Sequence, residues 1–351
     1  MAVGRTTAIR SGILLIDKPR GMTSFGVISR LRKLTGIRRI GHTGTLDPFA
    51  EGLLPVCIGR ATVAVQFMSN YDKQYILGIE FGRSTDTQDL TGTTIHTKSL
   101  SPAEQAELIA SDFKPIREAI DTLRGDHFQI PPMYSAVKID GRPLYDYARS
   151  GRKVERPARA VSIKEVVVEK IGLEDGILRA VIRVDCSKGT YMRTLADDLG
   201  KQTGHYAHAT TLVRSRCGPF ELADAVNLEQ LFDWSRQGID QQSFMTFLHD
   251  KGLLLDISRA FDFFPACDLP ADLAGKLISG QTLALSEDFL LKSQQLSWAN
   301  RPELIPANGQ RLVFYSCGQL ICVARLEEIQ PAFYRIKTER VLIDLADFRQ
   351  S

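Results

Sequence analysis

Chemistry in this chain is concentrated in Gly41-His42-Thr43-Gly44-Thr45-Leu46-Asp47-Pro48, a short loop that presents one carboxylate. No acidic residue lies between Asp17 and Asp47, whereas Lys18, Arg20, Arg30, Arg32, Lys33, Arg38 and Arg39 all fall in that span. A lone Asp beside so much positive charge points to a catalytic carboxylate acting on a polyanion, with nucleic acid the leading candidate. The two glycines permit unusual dihedrals and close approach to a ligand, and Pro48 disfavours a helical conformation at Asp47. As a short string it fits a Gly/Asp/Pro surface turn equally well. Gly36 to Thr43 has the glycine spacing of a phosphate-binding loop, but His42 occupies the position of its essential Lys, which argues against a nucleotide cofactor.

The elements that must position this loop follow from periodicity. Gly12 to Asp17 reads as a buried strand, and Thr23 or Ser24 caps a helix with Val27, Ile28, Leu31 and Leu34 on one face and Arg30 and Lys33 on the other. Further strands are expected over 53–58, 75–81 and 178–186. Helices are expected after the Ser101-Pro102-Ala103-Glu104 capping box, over 116–123 with Gly125 as the stop, and over 190–199 with Gly200 as the stop. Residues 225–262 read as mainly helical. Beyond Pro265 the pattern turns to short strands, with Cys317-Gly318-Gln319 as a hairpin turn. These runs predict a catalytic unit over 1–225, a helical connector over 226–264 and a small β-rich domain over 265–351.

Composition bounds the rest. The 351 residues carry a net charge of only +3, so nucleic-acid binding must rely on local patches. Six scattered cysteines without a CxxC pair favour reduced thiols over disulfides or a zinc site. No signal peptide or run of ~18 apolar residues is present, so a cytoplasmic protein without a membrane partner is expected.

The longer string from Gly41 to Thr62, including Ala50-Glu51-Gly52-Leu53-Leu54-Pro55 and Gly59-Arg60-Ala61-Thr62, resembles the signature of the TruB family. These are the tRNA pseudouridine synthases that modify uridine 55 in the T-loop. Further segments match in family order: Lys18-Pro19-Arg20-Gly21-Met22-Thr23-Ser24, Asp72-Lys73-Gln74-Tyr75, Gln129 to Lys138, Cys186 to Leu195, and Leu212-Val213-Arg214. The resemblance covers about 12–220 well and the tail loosely. The family commonly has Lys after Gly59-Arg60-Ala61-Thr62, and this chain has Val63, which puts one phosphate contact or ion pair in doubt.

The resemblance implies an α+β fold, with a mixed, largely antiparallel sheet in the catalytic core and a C-terminal PUA-like domain. It implies isomerisation of uridine to pseudouridine with no metal or other cofactor. Asp47 would be the catalytic carboxylate, Arg193 its partner, able to hold it bidentately, and Tyr75 the active-site aromatic. Tyr191 and Leu212 would line the pocket, and His42 would hold open the displaced base stack. The target base must be flipped out of a folded RNA loop. Arg30, Lys33, Arg38, Arg39, Arg152 and Lys153, with Arg149, Arg156 and Arg159, become candidate phosphate contacts. The expected partner is the T-arm and elbow of tRNA, and a monomer is expected. A non-catalytic tRNA-binding or folding factor on the same scaffold is the competing reading; a glycoside hydrolase would need a second paired carboxylate.

Overall fold

The computed structural model describes residues 11–152, 154–294, 303–343 and 348. Lys153, a candidate phosphate contact, lies outside the described residues.

A mixed sheet forms the larger part. Its main path runs Val226–Asn227, Gly12–Lys18, Glu51–Ile58, Ala207–Cys217, Lys73–Phe81, Ile177–Cys186, Arg159–Glu174 and Gly125–Gln129. Along that path the chain pairs in parallel only where Val226–Asn227 meets Gly12–Lys18 and where Ala207–Cys217 meets Glu51–Ile58. The expected mixed, largely antiparallel architecture is therefore present. A second, five-stranded sheet runs Ala266–Asp268, Arg311–Ser316, Gln319–Gln330, Phe333–Val341 and Leu283–Ser286, and fits the expected PUA-like domain. Its hairpin turns at Cys317 and Gly318, both at positive φ (49° and 73°), the conformation of a tight two-residue connection.

Gly12–Lys18 shows why the sequence reads as a continuous apolar run. Leu14 and Ile16 face a core that includes Val27, Leu31, Leu195, Leu228 and Phe244 from helices. Ile13 and Leu15 face the other way, into a core with Phe67, Phe261, Ala266, Val313 and Tyr315. Both faces of the strand are buried, so both sets of alternating side chains must be apolar. The second core joins the two sheets. The segment expected as a connector also contributes to the first sheet, through Val226–Asn227 and Leu254–Leu255, both paired with Gly12–Lys18.

Helix Ser24–Thr35 begins as its sequence predicts: the Thr23 side chain accepts from Gly26 N at 2.9 Å, and Gly36 ends it at φ 69°. The Ser101 capping box is formed. Two expected stops are corrected. The helix Lys114–Asp121 closes before Gly125, which instead opens the strand Gly125–Gln129 at φ 101°. Gly200 lies inside the helix Met192–Gln202 because a Cβ there would stand 2.1 Å from Ala207 N; glycine lets the helix press against the next strand. Gly41 also differs: it belongs to the short strand Ile40–His42, paired with Cys57, and only Gly44, at φ 155°, needs the glycine conformation.

Candidate active site

The Asp47 loop is braced from three sides. From the first motif, Gly21 N donates to Pro48 O at 2.7 Å, and the Ser24 hydroxyl both accepts from Leu46 N (2.9 Å) and donates to Leu46 O (3.2 Å). Lys18 is 0% exposed, with Nζ donating to Pro19 O and Met22 O at 3.0 and 2.6 Å. From the sheet, Arg214 is 1% exposed and donates from Nε to Leu53 O at 2.7 Å and from Nη2 to Gly44 O at 3.3 Å. The third brace is Arg193, on the first turn of Met192–Gln202 and 3% exposed. Its Nε stands 2.8 Å from Asp47 Oδ2, and the Asp47 side chain is 32% exposed.

The pairing of Asp47 with Arg193 has one correction. The contact is through Nε alone. Nη1 donates to Thr87 O at 2.8 Å and Nη2 to Tyr134 O at 2.7 Å, so the guanidinium ties three loops together and does not grip Asp47 with a two-pronged fork. Nη1 also faces a second carboxylate, Asp89 Oδ2, at 3.6 Å. Asp89 is buried and fixed by the Thr87 hydroxyl and by Thr91 N, at 2.8 and 2.9 Å. The sequence offered Thr two places either side of this Asp, a pattern for local hydrogen bonding, but nothing in it placed Asp89 against Arg193.

Tyr75 and Leu212 sit on neighbouring strands at the centre of the sheet, with Tyr75 opposite both Val184 and Arg214, and Leu212 opposite Leu77. The Arg214 charge opposes the effect of burial on the Tyr75 phenol. Tyr191 is held by its backbone. Gln129 Oε1 accepts from Tyr191 N at 2.7 Å and Nε2 donates to Tyr191 O at 3.0 Å, which gives the Gln129–Lys138 motif a structural reason. These residues meet around a cavity of about 420 Å³ lined by Asp47, Tyr75, Tyr191, Arg193, Leu212 and Arg214. His42 lines a neighbouring cavity, about 640 Å³, which shares Thr45, Leu46, Asp47 and Arg193 with the first. Its Nδ1 accepts from Gly44 N at 3.4 Å.

Burial dominates the electrostatics. It raises the Asp47 carboxyl above the ordinary range; the Arg193 guanidinium opposes this and the Asp89 charge adds to it. Burial pushes the Tyr75 phenol up to about 12, so it is neutral at physiological pH. Burial lowers Lys18 to about 8, against the attraction of Asp47 and Glu51. It also lowers His42, with Arg214 adding to the shift, and keeps that ring neutral.

The candidate phosphate contacts divide. Arg30 is engaged within the protein: Nη1 stands 3.0 Å from Glu229 Oε1, and the guanidinium lies 5.6 Å from the Phe232 ring centre. Arg39 Nε donates to the Thr62 hydroxyl at 2.6 Å, and Arg156 Nη1 to Pro131 O at 2.9 Å. Lys33, Arg38, Arg149, Arg152 and Arg159 are exposed, and Arg159 lines the smaller cavity.

A profile described as the TruB family pseudouridylate synthase N-terminal domain matches residues 32–192. One described as the tRNA pseudouridylate synthase B C-terminal domain matches 193–256. The chain is 37% identical over 334 residues to tRNA pseudouridine synthase B of Halalkalibacterium halodurans, covering 95% of this chain and 97% of that one. It is 43% identical over 276 residues to the protein of that name from Aromatoleum aromaticum, covering 79% and 82%. The fold is similar to a chain in the crystal structure of a Cbf5-Nop10-Gar1 complex, with a TM-score of 0.67 at 20% identity and coverage of 96% and 86%. The chain belongs to the TruB family of pseudouridylate synthases.

Proposed function

We propose that this protein isomerises uridine to pseudouridine in tRNA, at position 55 of the T-loop, with Asp47 as the catalytic carboxylate. The observation that carries this reading is the junction of Asp47 and Arg193, an ion pair of 2.8 Å at the wall of a cavity that also presents Tyr75 and Leu212. Isomerisation breaks the bond from ribose C1′ to uracil N1, turns the base and joins C1′ to C5, whose proton is transferred away as N1 gains one. Asp47 must be ionised to start this, as nucleophile or as base. Arg193 holds its charge and its orientation. The flipped uracil stacks on the Tyr75 ring, and Leu212 supplies an apolar wall that limits water.

Lys33, Arg38 and Arg152 contact phosphates, and the PUA-like sheet adds RNA surface while the chemistry stays in the larger sheet. The protein works as a cytoplasmic monomer with tRNA as its partner. The presence together of Asp47, Tyr75 and Arg193 favours catalysis over a pure tRNA-binding role. Mapping pseudouridine in a T-arm stem-loop incubated with purified protein tests this reading. Bound but unmodified RNA would select the binding factor.

A further inference from the structure

Two buried arginines line the cavity of about 420 Å³, and only one of them is neutralised. Arg193 faces Asp47 and Asp89. Arg214 has no carboxylate partner among the described residues; its Nε and Nη2 donate to the backbone carbonyls of Leu53 and Gly44. Asp47 is the one carboxylate among the described residues that line this cavity, and Arg193 already holds it. Carbonyl oxygens satisfy the donors of Arg214 but leave its charge in place, and an uncompensated buried charge is costly. Bracing two carbonyls needs donors and no charge, so the charge itself calls for a use.

The fold aims that charge at the place where the base would lie. Arg214 and Tyr75 stand opposite each other on neighbouring strands, and Leu212 is two residues before Arg214, so the three side chains share one face of the sheet and line the cavity together. Burial raises the Tyr75 phenol and the Arg214 charge pulls it back, so the charge is felt beside the ring on which the uracil stacks.

We propose that Arg214 is a further catalytic residue, whose guanidinium stabilises the uracil while it is detached from the ribose. This rests on the reading that the flipped uridine occupies the Asp47 cavity. When the bond from C1′ to N1 breaks, its electron pair leaves with N1, and the free base carries a negative charge spread over N1, O2 and O4. The electron-deficient C1′ is met by Asp47 as nucleophile, or C2′ gives a proton to Asp47 as base. The base turns, C5 supplies a pair to C1′, and the C5 proton is lost as N1 gains one. A fixed cation in a buried wall lowers the energy of the detached anion. Its charge acts in every direction, so it serves the base before and after the turn, which one directed hydrogen bond cannot do.

The test compares T-arm stem-loops carrying uridine or 5-fluorouridine at the target, in single turnovers of the full chain. Fluorine makes the detached base a more stable anion, so cleavage leans less on an outside cation. Arg214→Gln keeps an amide donor and removes the charge. It should consume uridine about tenfold more slowly than the parent but 5-fluorouridine within about twofold of it, with RNA affinity little changed. Arg214→Lys, which keeps the charge, should recover part of the uridine rate. Equal losses on both RNAs would reduce Arg214 to a brace for Gly44 and Leu53 and overturn the proposal, as would no loss on either. A measurement on the unsubstituted protein decides the matter even if melting curves show that neither variant folds. With the target nucleotide made abasic, free 5-fluorouracil and uracil are titrated into the complex. The affinity of 5-fluorouracil relative to uracil should rise as pH passes the point where 5-fluorouracil has lost a proton and uracil has not; a flat ratio would overturn the proposal. Pseudouridine formation by the unsubstituted protein on the uridine RNA tests the proposed function separately, so the failure of one is not mistaken for the failure of the other.

Discussion

The Asp47 loop and the segment from Lys138 to Arg156 flank the same groove but are built on opposite principles. Around Asp47, Lys18 and Arg214 are fully buried, Arg193 nearly so, and the bonds of the two arginines run across the sequence to Leu53, Thr87 and Tyr134. Leu144 is the one described residue that is buried in the second segment. Its strands Lys138–Ile139 and Arg142–Pro143 are two residues each, and its side-chain bonds are mostly local, as from the Tyr147 hydroxyl to Ile139 O. The first region is fixed before substrate arrives, as electrostatic preorganisation requires. The second has few buried contacts, which suits a surface that adjusts to RNA.

If that contrast holds, substitutions in the two regions must fail differently. After Asp47→Asn itself, the largest loss of rate is expected for Arg193→Lys. A Lys keeps the charge but cannot serve Asp47, Thr87 O and Tyr134 O together, so the single-turnover rate should fall roughly 10- to 100-fold with RNA affinity little changed. A rate within twofold of the parent would show that the three-way tie is dispensable. Next is a chain cut after Asp256. The change of pattern at Pro265 suggests a separable tail, but Phe261, Val313 and Tyr315 share a core with Ile13, Leu15 and Leu53. Baring such side chains costs about 1.5–3 kcal/mol each, against a typical total stability of about 5–15 kcal/mol. The truncated protein should therefore melt well below the full chain or fail to fold; an unchanged Tm would mean that the shared core is expendable.

A smaller effect is expected in the exposed segment. Arg152→Ala should weaken RNA binding a few-fold, reduce the slope of log affinity against log salt by about one, and leave the rate at saturating RNA unchanged. A change in saturated rate with no change in slope would place Arg152 on the chemical side of the contrast. The smallest effect concerns stability. The folded-state pKa of Asp47 is raised, so its ionisation costs stability as pH rises from the ordinary aspartate range through the folded value. Asp47→Asn should therefore raise Tm at neutral pH, and the gain should fade as pH drops below the ordinary aspartate value. A lowered Tm at neutral pH would contradict the direction of the shift.

What the sequence reveals follows the same division. Thr23, the Ser101 capping box and the apolar run from Gly12 to Asp17 are local signals, and the corresponding elements form as read. Asp47, Arg193 and Tyr75 were legible through motifs, and they meet in one cavity. Asp89 and the role of Arg214 were not legible, because burial of a charged group depends on which strands later pack around it. Gly200 was misread for the same reason: its glycine answers to Ala207, not to a helix end. Arg30 reads from the sequence as a free cation, and only the fold brings Glu229, far along the chain, beside it.

The most direct test of the account is pseudouridine formation in a T-arm stem-loop under single-turnover conditions, comparing the unsubstituted protein with Asp47→Asn and measuring RNA affinity in parallel. Full conversion by the unsubstituted protein is expected. No product is expected from Asp47→Asn, with affinity retained within about tenfold because the phosphate contacts lie elsewhere. Product above background from Asp47→Asn, in a preparation free of parent enzyme and of deamidation, would contradict it.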